Sequence, residues 1–194
     1  MFCQYSAVFG MMVAMSFVLI YGPMKSGKSL ELISKVAPYE FAKQNVIYVQ
    51  PKLNVRDRGV KSRLGVIVKA KSVSSLSEIK SDFDVIGIDE INMFDVSEAK
   101  IIEKWVSAGK VVFISGLDLD YRAKMPPIFQ KLLELKPNQT IAKLAVCDIC
   151  HEYTAQFTQI LKDGKELLGG IPSVVPEDGT FEYQARCRKC FKKK

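Results

Sequence analysis

Residues 1–24 carry no charge at all, and residues 7–21 form a nearly continuous apolar run. A basic flank is missing too, and the run is short for a bilayer span of about 20 residues. Both facts argue against a signal peptide and a membrane anchor. The last third of the run reads instead as a core strand. Residues 1–15 read as an apolar N-terminal extension, with Met11, Met12 or Met15 as alternative starts. Low-complexity tracts and internal repeats are also lacking, which sets aside repeat architectures and long disordered segments. A cytoplasmic protein with no membrane partner is expected.

What is present suits one ordinary globular domain with a small appendage. The chain has 194 residues, 48% of them hydrophobic and 25% charged, enough to bury a sizeable core. The net charge is +7, from 28 Lys and Arg against 21 Asp and Glu. Arg186, Arg188, Lys189, Lys192, Lys193 and Lys194 crowd the end of the chain. Such a tail can grip nucleic acid, but a solvated terminus is the commoner outcome, and nucleic acid is not expected as a partner.

Gly22-Pro23-Met24-Lys25-Ser26-Gly27-Lys28-Ser29 fits G-x-x-x-x-G-K-[ST], the phosphate-binding loop. Gly22 and Gly27 let the backbone bend and approach a phosphate without a Cβ in the way. The amides from Met24 to Ser29 converge on the anion, and the following helix points its positive end there. Lys28 is expected on the β- and γ-phosphates and the Ser29 hydroxyl on Mg²⁺. The context agrees: residues 16–21 read as a buried strand, and residues 30–43 carry helical apolar spacing.

Strand and helix alternate onward. Strands are predicted at 45–50, 66–68, 83–88 and 110–115, and helices at 72–81 and 96–108, with a basic loop over 51–64. This pattern implies an α/β fold, a parallel sheet flanked by helices, with ligands at the carboxyl ends of its strands. Asp89-Glu90 follows the strand predicted at 83–88 and so falls at the same end as the phosphate loop. Asp89 is a candidate Mg²⁺ ligand and Glu90 a candidate general base.

Beyond Thr140 helical periodicity fades and Cys147-x-x-Cys150 and Cys187-x-x-Cys190 bracket the remainder. Two thiolate pairs complete a Cys₄ zinc site, structural because no coordination position stays open. The run Cys147-Asp148-Ile149-Cys150-His151 also fits the c-type haem pattern. Disulfides are a further alternative, although no secretory signal supports them. With zinc bound, His151, the single histidine, is incidental, and Cys3 is unpaired. The expected division is 16–141 as an ATP-binding α/β domain and 142–194 as a zinc-binding domain with a basic tail.

The order of these motifs resembles the type II thymidine kinase family. Further segments carry the likeness: Asp89-Glu90-Ile91-Asn92-Met93-Phe94, Gly116-Leu117-Asp118-Leu119-Asp120-Tyr121-Arg122, Phe157-Thr158-Gln159, and Tyr183-Gln184-Ala185-Arg186-Cys187-Arg188-Lys189-Cys190. The resemblance implies a P-loop core of RecA type and phosphorylation of the 5′-hydroxyl of thymidine, using ATP, Mg²⁺ and structural Zn²⁺, and the chain's departures from the family pattern suggest deoxyuridine as a further acceptor. It implies Glu90 as base, Lys28 and Arg56 near the transferred phosphate, and Met24, Met93, Phe94, Leu117, Tyr121 and Thr158 around the nucleoside. A lasso over 174–183, with Val174, Val175 and Tyr183, would wrap the base. Family members are commonly homotetramers. This chain departs from the pattern in an acidic lasso, in Asn54 where Asp is usual, in Tyr121 where Phe is usual, and in Lys25, which is expected to face solvent. A nucleic-acid-dependent P-loop ATPase with a zinc module is the alternative.

Overall fold

A computed structural model describes residues 17–54, 59–62, 65–173, 175 and 179–193. Six parallel strands make the main sheet: β1 (Phe17–Tyr21), β2 (Val46–Pro51), β5 (Lys71–Val73), β6 (Val85–Ile88), β7 (Val111–Gly116) and β8 (Gln139–Ala142). Their order across the sheet is β5-β2-β6-β7-β1-β8. Three helices flank it: α1 (Lys28–Phe41), α2 (Ala99–Ser107) and α3 (Pro127–Glu134).

The apolar run of β1 is continuous because both of its faces are covered. Val18 and Ile20 point toward Leu32, Ile33 and Val36 of α1. Phe17 and Leu19 point the other way, into a cluster with Ile102 of α2 and Ile128, Phe129 and Leu132 of α3. Alternation along the strand thus sends each half of the run to a different helical layer.

Several elements differ from the sequence reading. The helix expected at 72–81 is replaced by the edge strand β5 and a single 3-10 turn over Leu76–Glu78. Ser75 caps that turn and Glu78 closes the capping box. The serines here satisfy local backbone groups instead of extending a helix. The strand expected at 66–68 is β4 (Ile67–Val68), which pairs with β3 (Val60–Lys61) in a hairpin outside the main sheet. The loop expected over 51–64 therefore contributes a strand. Helix α3 and strand β8 were not anticipated.

A second sheet follows. β9 (Phe157–Lys162) sits between β10 (Lys165–Glu166) and β11 (Glu182–Arg186), all antiparallel. Among the described residues no helix is long and apolar enough to cross a membrane.

Candidate active site

Strand order brings the two motifs together. β7 lies between β1 and β6, so the phosphate loop after β1 and Asp89-Glu90 after β6 flank the end of one strand. That strand contributes to both sides. The buried Ser115 hydroxyl donates to Asp89 Oδ1, which also accepts the Glu90 N–H at 3.0 Å. Beyond it, burial raises the pKa of Asp118, while its own backbone N–H and the nearby charge of Lys28 work in the opposite direction. Asp118 thus lies within the field of the loop lysine, a placement not singled out from the sequence, although the segment 116–122 contained it.

The loop itself begins at Gly22, whose φ is +147° and where a Cβ would sit 2.3 Å from the Lys143 carbonyl oxygen. No side chain is tolerated there. Gly27, at φ 79°, caps α1 in a left-handed conformation with no side-chain hydrogen bond to the helix end. The first N–H groups of α1 therefore point at the cavity in front of them. That cavity, of about 270 Å³, is lined by Met24 to Ser29, by Glu90, by Lys61 and Ser62 of the hairpin, and by Val146 and Tyr153 near the cysteines. Lys28 Nζ donates to the Pro23 carbonyl at 2.7 Å. The buried Ser26 hydroxyl has no hydrogen-bond partner among the described residues, a donor suited to a phosphate oxygen. A hydroxyl on Ser29 and a carboxylate on Asp89 are the oxygen donors Mg²⁺ prefers.

A narrower cavity adjoins it, of about 30 Å³. Met24 and Glu90 line both, and Met93, Leu117, Tyr121, Thr158, Val175 and Tyr183 complete most of the second. Asn92, Asp120, Ile160 and Ser173 also line it and were not among the predicted site residues. Phe94, expected beside them, packs into the main core and borders a neighbouring hollow that shares Asn92, Leu117, Asp120 and Ser173 with this cavity. Arg56 and Val174 lie outside the described residues. Glu90 has φ 52°, a left-handed backbone that a non-glycine residue adopts only where its surroundings hold it.

The walls of the second cavity are fixed from several elements. Thr158 Oγ1 accepts the Met24 N–H at 3.0 Å, tying the second sheet to the phosphate loop. The Tyr121 hydroxyl finds its partner in the Ile171 carbonyl at 2.8 Å. The Tyr183 hydroxyl donates to the Val175 carbonyl at 3.2 Å. Asp120 accepts the backbone N–H groups of Arg122 and Lys124, both at 2.9 Å, and pairs with the Arg122 guanidinium. The tight turn so formed presents Tyr121. Asn92 Oδ1 accepts the Leu117 N–H at 2.8 Å.

The four cysteines of the two pairs converge, with all sulfurs within 4.8 Å of one another. Sγ of Cys150 and Sγ of Cys187 are 3.7 Å apart, close to the roughly 3.8 Å edge of a tetrahedron with Zn–S near 2.3 Å. Burial opposes the Cys147 thiolate, but N–H groups of Cys150, Cys187 and Ile149 outweigh it and bring its pKa down to about 6. Cys190 is pushed up to about 12, first by its hydrogen bond to Cys187 and then by burial. Four sulfurs this close cannot all ionise without a cation among them, and the donor set fits structural zinc.

Comparison with known proteins agrees with this geometry. A sequence model of the thymidine kinase family matches residues 15–191. The chain belongs to the thymidine kinase family. It is 34% identical over 185 residues to a thymidine kinase of Mesoplasma florum, covering 89% of each chain. It is also 34% identical over 188 residues to one of Pseudothermotoga lettingae, covering 93% of this chain and 97% of the relative. A thymidine kinase of Chloroflexus aurantiacus is 34% identical over 182 residues, with 89% and 92% covered. The α/β architecture and the cysteine cluster are those expected of such a protein.

Proposed function

We propose that the chain transfers the γ-phosphoryl group of ATP to the 5′-hydroxyl of thymidine, and of deoxyuridine, in a Mg²⁺-dependent reaction of pyrimidine salvage. The observation that carries this reading is the position of Glu90, which lines both the phosphate-loop cavity and the narrower cavity beside it. A phosphoryl donor in the first and a nucleoside in the second would meet at this carboxylate.

The division of labour follows from the walls. Loop amides, Ser26 and Lys28 neutralise and orient the phosphates, and Ser29 with Asp89 would hold Mg²⁺. Ser115 fixes the Asp89 carboxylate in place. Glu90 accepts the proton of the attacking hydroxyl. Phosphoryl transfer needs positioning and charge neutralisation more than covalent chemistry, and the residues present supply both. Arg56 is assigned to the transferred phosphate on the family resemblance alone.

The nucleoside base would lie against Tyr121, Thr158 and Leu117 under the segment that carries Val175, with Tyr183 at its end. Ser173 and Val175 line the narrower cavity together with those residues. Zinc on the four cysteines would anchor β11, the strand that carries Tyr183 and leads into Cys187. In this proposal residues 16–141 bind ATP and residues 142–194 enclose the nucleoside, in a cytoplasmic homotetramer.

The test is ADP formation measured with thymidine, deoxyuridine, deoxycytidine and deoxyguanosine in turn. Turnover with the first two is expected. Hydrolysis stimulated by single-stranded DNA but not by thymidine would overturn the proposal. Glu90→Gln should lower kcat by roughly 10²- to 10⁴-fold with thymidine binding retained. An undiminished rate would remove Glu90 from the role of base.

A further inference from the structure

The nucleotide reading gives Lys28 a task and leaves Lys25 without one. Lys25 stands in the middle of the phosphate loop at φ 65°. It was expected to face solvent, but its ammonium group donates to both carboxylate oxygens of Asp148, each at 2.8 Å. Asp148 lies between Cys147 and Cys150. It is itself stitched to the strand that leads into the second cysteine pair. Its N–H donates to the Ala185 carbonyl at 2.8 Å, and its Oδ2 accepts the Ala185 N–H at 2.6 Å. One carboxylate therefore joins the phosphate loop, the first cysteine turn and β11.

Resting on the function proposed above, we propose that the Lys25–Asp148 pair is a positioning strut. Through it the four-cysteine centre holds the phosphate loop in its nucleotide-accepting shape, so that metal binding and ATP binding are coupled. The loop is held on one side by Met24 N–H to Thr158 and on the other by Lys25 to Asp148. Assembling the four sulfurs around a metal orders the turn that carries Asp148, and that order reaches the loop through a charged, two-pronged contact. The side chains keep 35% and 27% exposure, so solvent screens the pair and its effect is moderate. Coupling is reciprocal: bound nucleotide must stabilise the metal centre to the same degree that the metal favours nucleotide.

The alternative is that Lys25 leaves Asp148 to contact the phosphates directly, and the two ideas predict opposite signs for Asp148→Asn. The experiment measures ATP affinity by calorimetry on the full zinc-loaded chain and on Lys25→Met, Asp148→Asn and the double variant. Release of zinc to a chromophoric chelator is followed in each with and without ATP. Asp148→Asn keeps an oxygen for the Ala185 N–H, and Lys25→Met leaves the cysteine turn's own residues unchanged while removing the cation beside Asp148. The strut predicts that each single variant weakens ATP binding roughly threefold to tenfold, that the double variant is no worse than either single, and that thymidine KM is unmoved. It also predicts that ATP slows zinc release in the original chain but not in Lys25→Met.

Tighter ATP binding in Asp148→Asn with weaker binding in Lys25→Met would overturn the strut in favour of direct phosphate contact. Unchanged affinity in both singles, or additive losses, would overturn it as well. Should Asp148→Asn shed its zinc, zinc release from Lys25→Met at saturating ATP decides the matter: release that ATP does not slow supports the strut, and release slowed as in the original chain overturns it. Failure of the original chain to bind ATP at all would instead refute the function from which the inference starts.

Discussion

Replacing Thr158 by valine should separate the shape of this residue from its oxygen. Thr158 is 2% exposed and Met24 4%. Between them runs a single buried hydrogen bond of 3.0 Å, from the Met24 N–H to Thr158 Oγ1. Valine matches threonine in shape but offers no acceptor, so the Met24 N–H is left buried and unpaired. That costs about 1–3 kcal/mol. In a chain of this length it lowers the unfolding midpoint by roughly 2–12 °C. Thr158→Ser is the control. It keeps the oxygen and loses one methyl group, a change of about 0.8 kcal/mol. Thermal unfolding at saturating zinc reads the stability, and titrations with ATP and with thymidine read the site. Thr158→Val should weaken both ligands, because Thr158 and Met24 line the narrower cavity and Met24 also lines the loop cavity. Thr158→Ser should leave ATP binding near its original value. A valine variant as stable as the original chain would refute the reasoning, and so would a serine variant that falls as far as the valine one.

Two further expectations follow from the end of β7. In Gly116→Ala the new methyl group would lie 2.7 Å from Ile91 Cγ2 and 2.8 Å from Asn92 Oδ1. It should push Asn92 off the Leu117 N–H, cost about 1–3 kcal/mol in urea unfolding, and raise the thymidine KM more than the ATP KM. An unchanged thymidine KM would remove Asn92 and Leu117 from the nucleoside site. Asp118→Asn probes the carboxylate near Lys28. Its native pKa is raised by burial, so the folded chain holds this proton more tightly than the unfolded one. The ionised group therefore opposes folding at neutral pH, and that opposition fades as pH falls through the raised native value toward the ordinary 3.8. Asp118→Asn should thus be more stable than the original chain at pH 7, with the difference closing in acid; a difference that widens in acid would reverse the sign of the argument.

The sequence by itself determined the chemistry-bearing parts. Gly22 and Gly27 announce a loop that only small residues allow, and the structure finds both at positive φ, with no room for a side chain at Gly22. The apolar run of β1 announced a strand covered on both faces, since no half-exposed strand tolerates it. The spacing of the cysteines announced a tetrahedral sulfur site, because each tight pair spans one edge. The helix expected at 72–81 is not formed, because Ser75 and Glu78 satisfy local backbone groups in a capped 3-10 turn.

Only the tertiary structure decided which groups meet. No spacing along the chain tells that β7 runs between β1 and β6, yet that order is what sets Ser115 on Asp89 and Asp118 near Lys28. It brought Asn92, Asp120 and Ser173 to the narrower cavity, with Phe94 bordering the hollow beside it. It also placed Lys25 on Asp148, two residues far apart in sequence and each unremarkable alone. Covalent geometry and residue chemistry act over a few positions and are legible locally. Strand order and cross-sheet contacts are settled by how whole layers bury their apolar faces, and that information is spread over the entire chain.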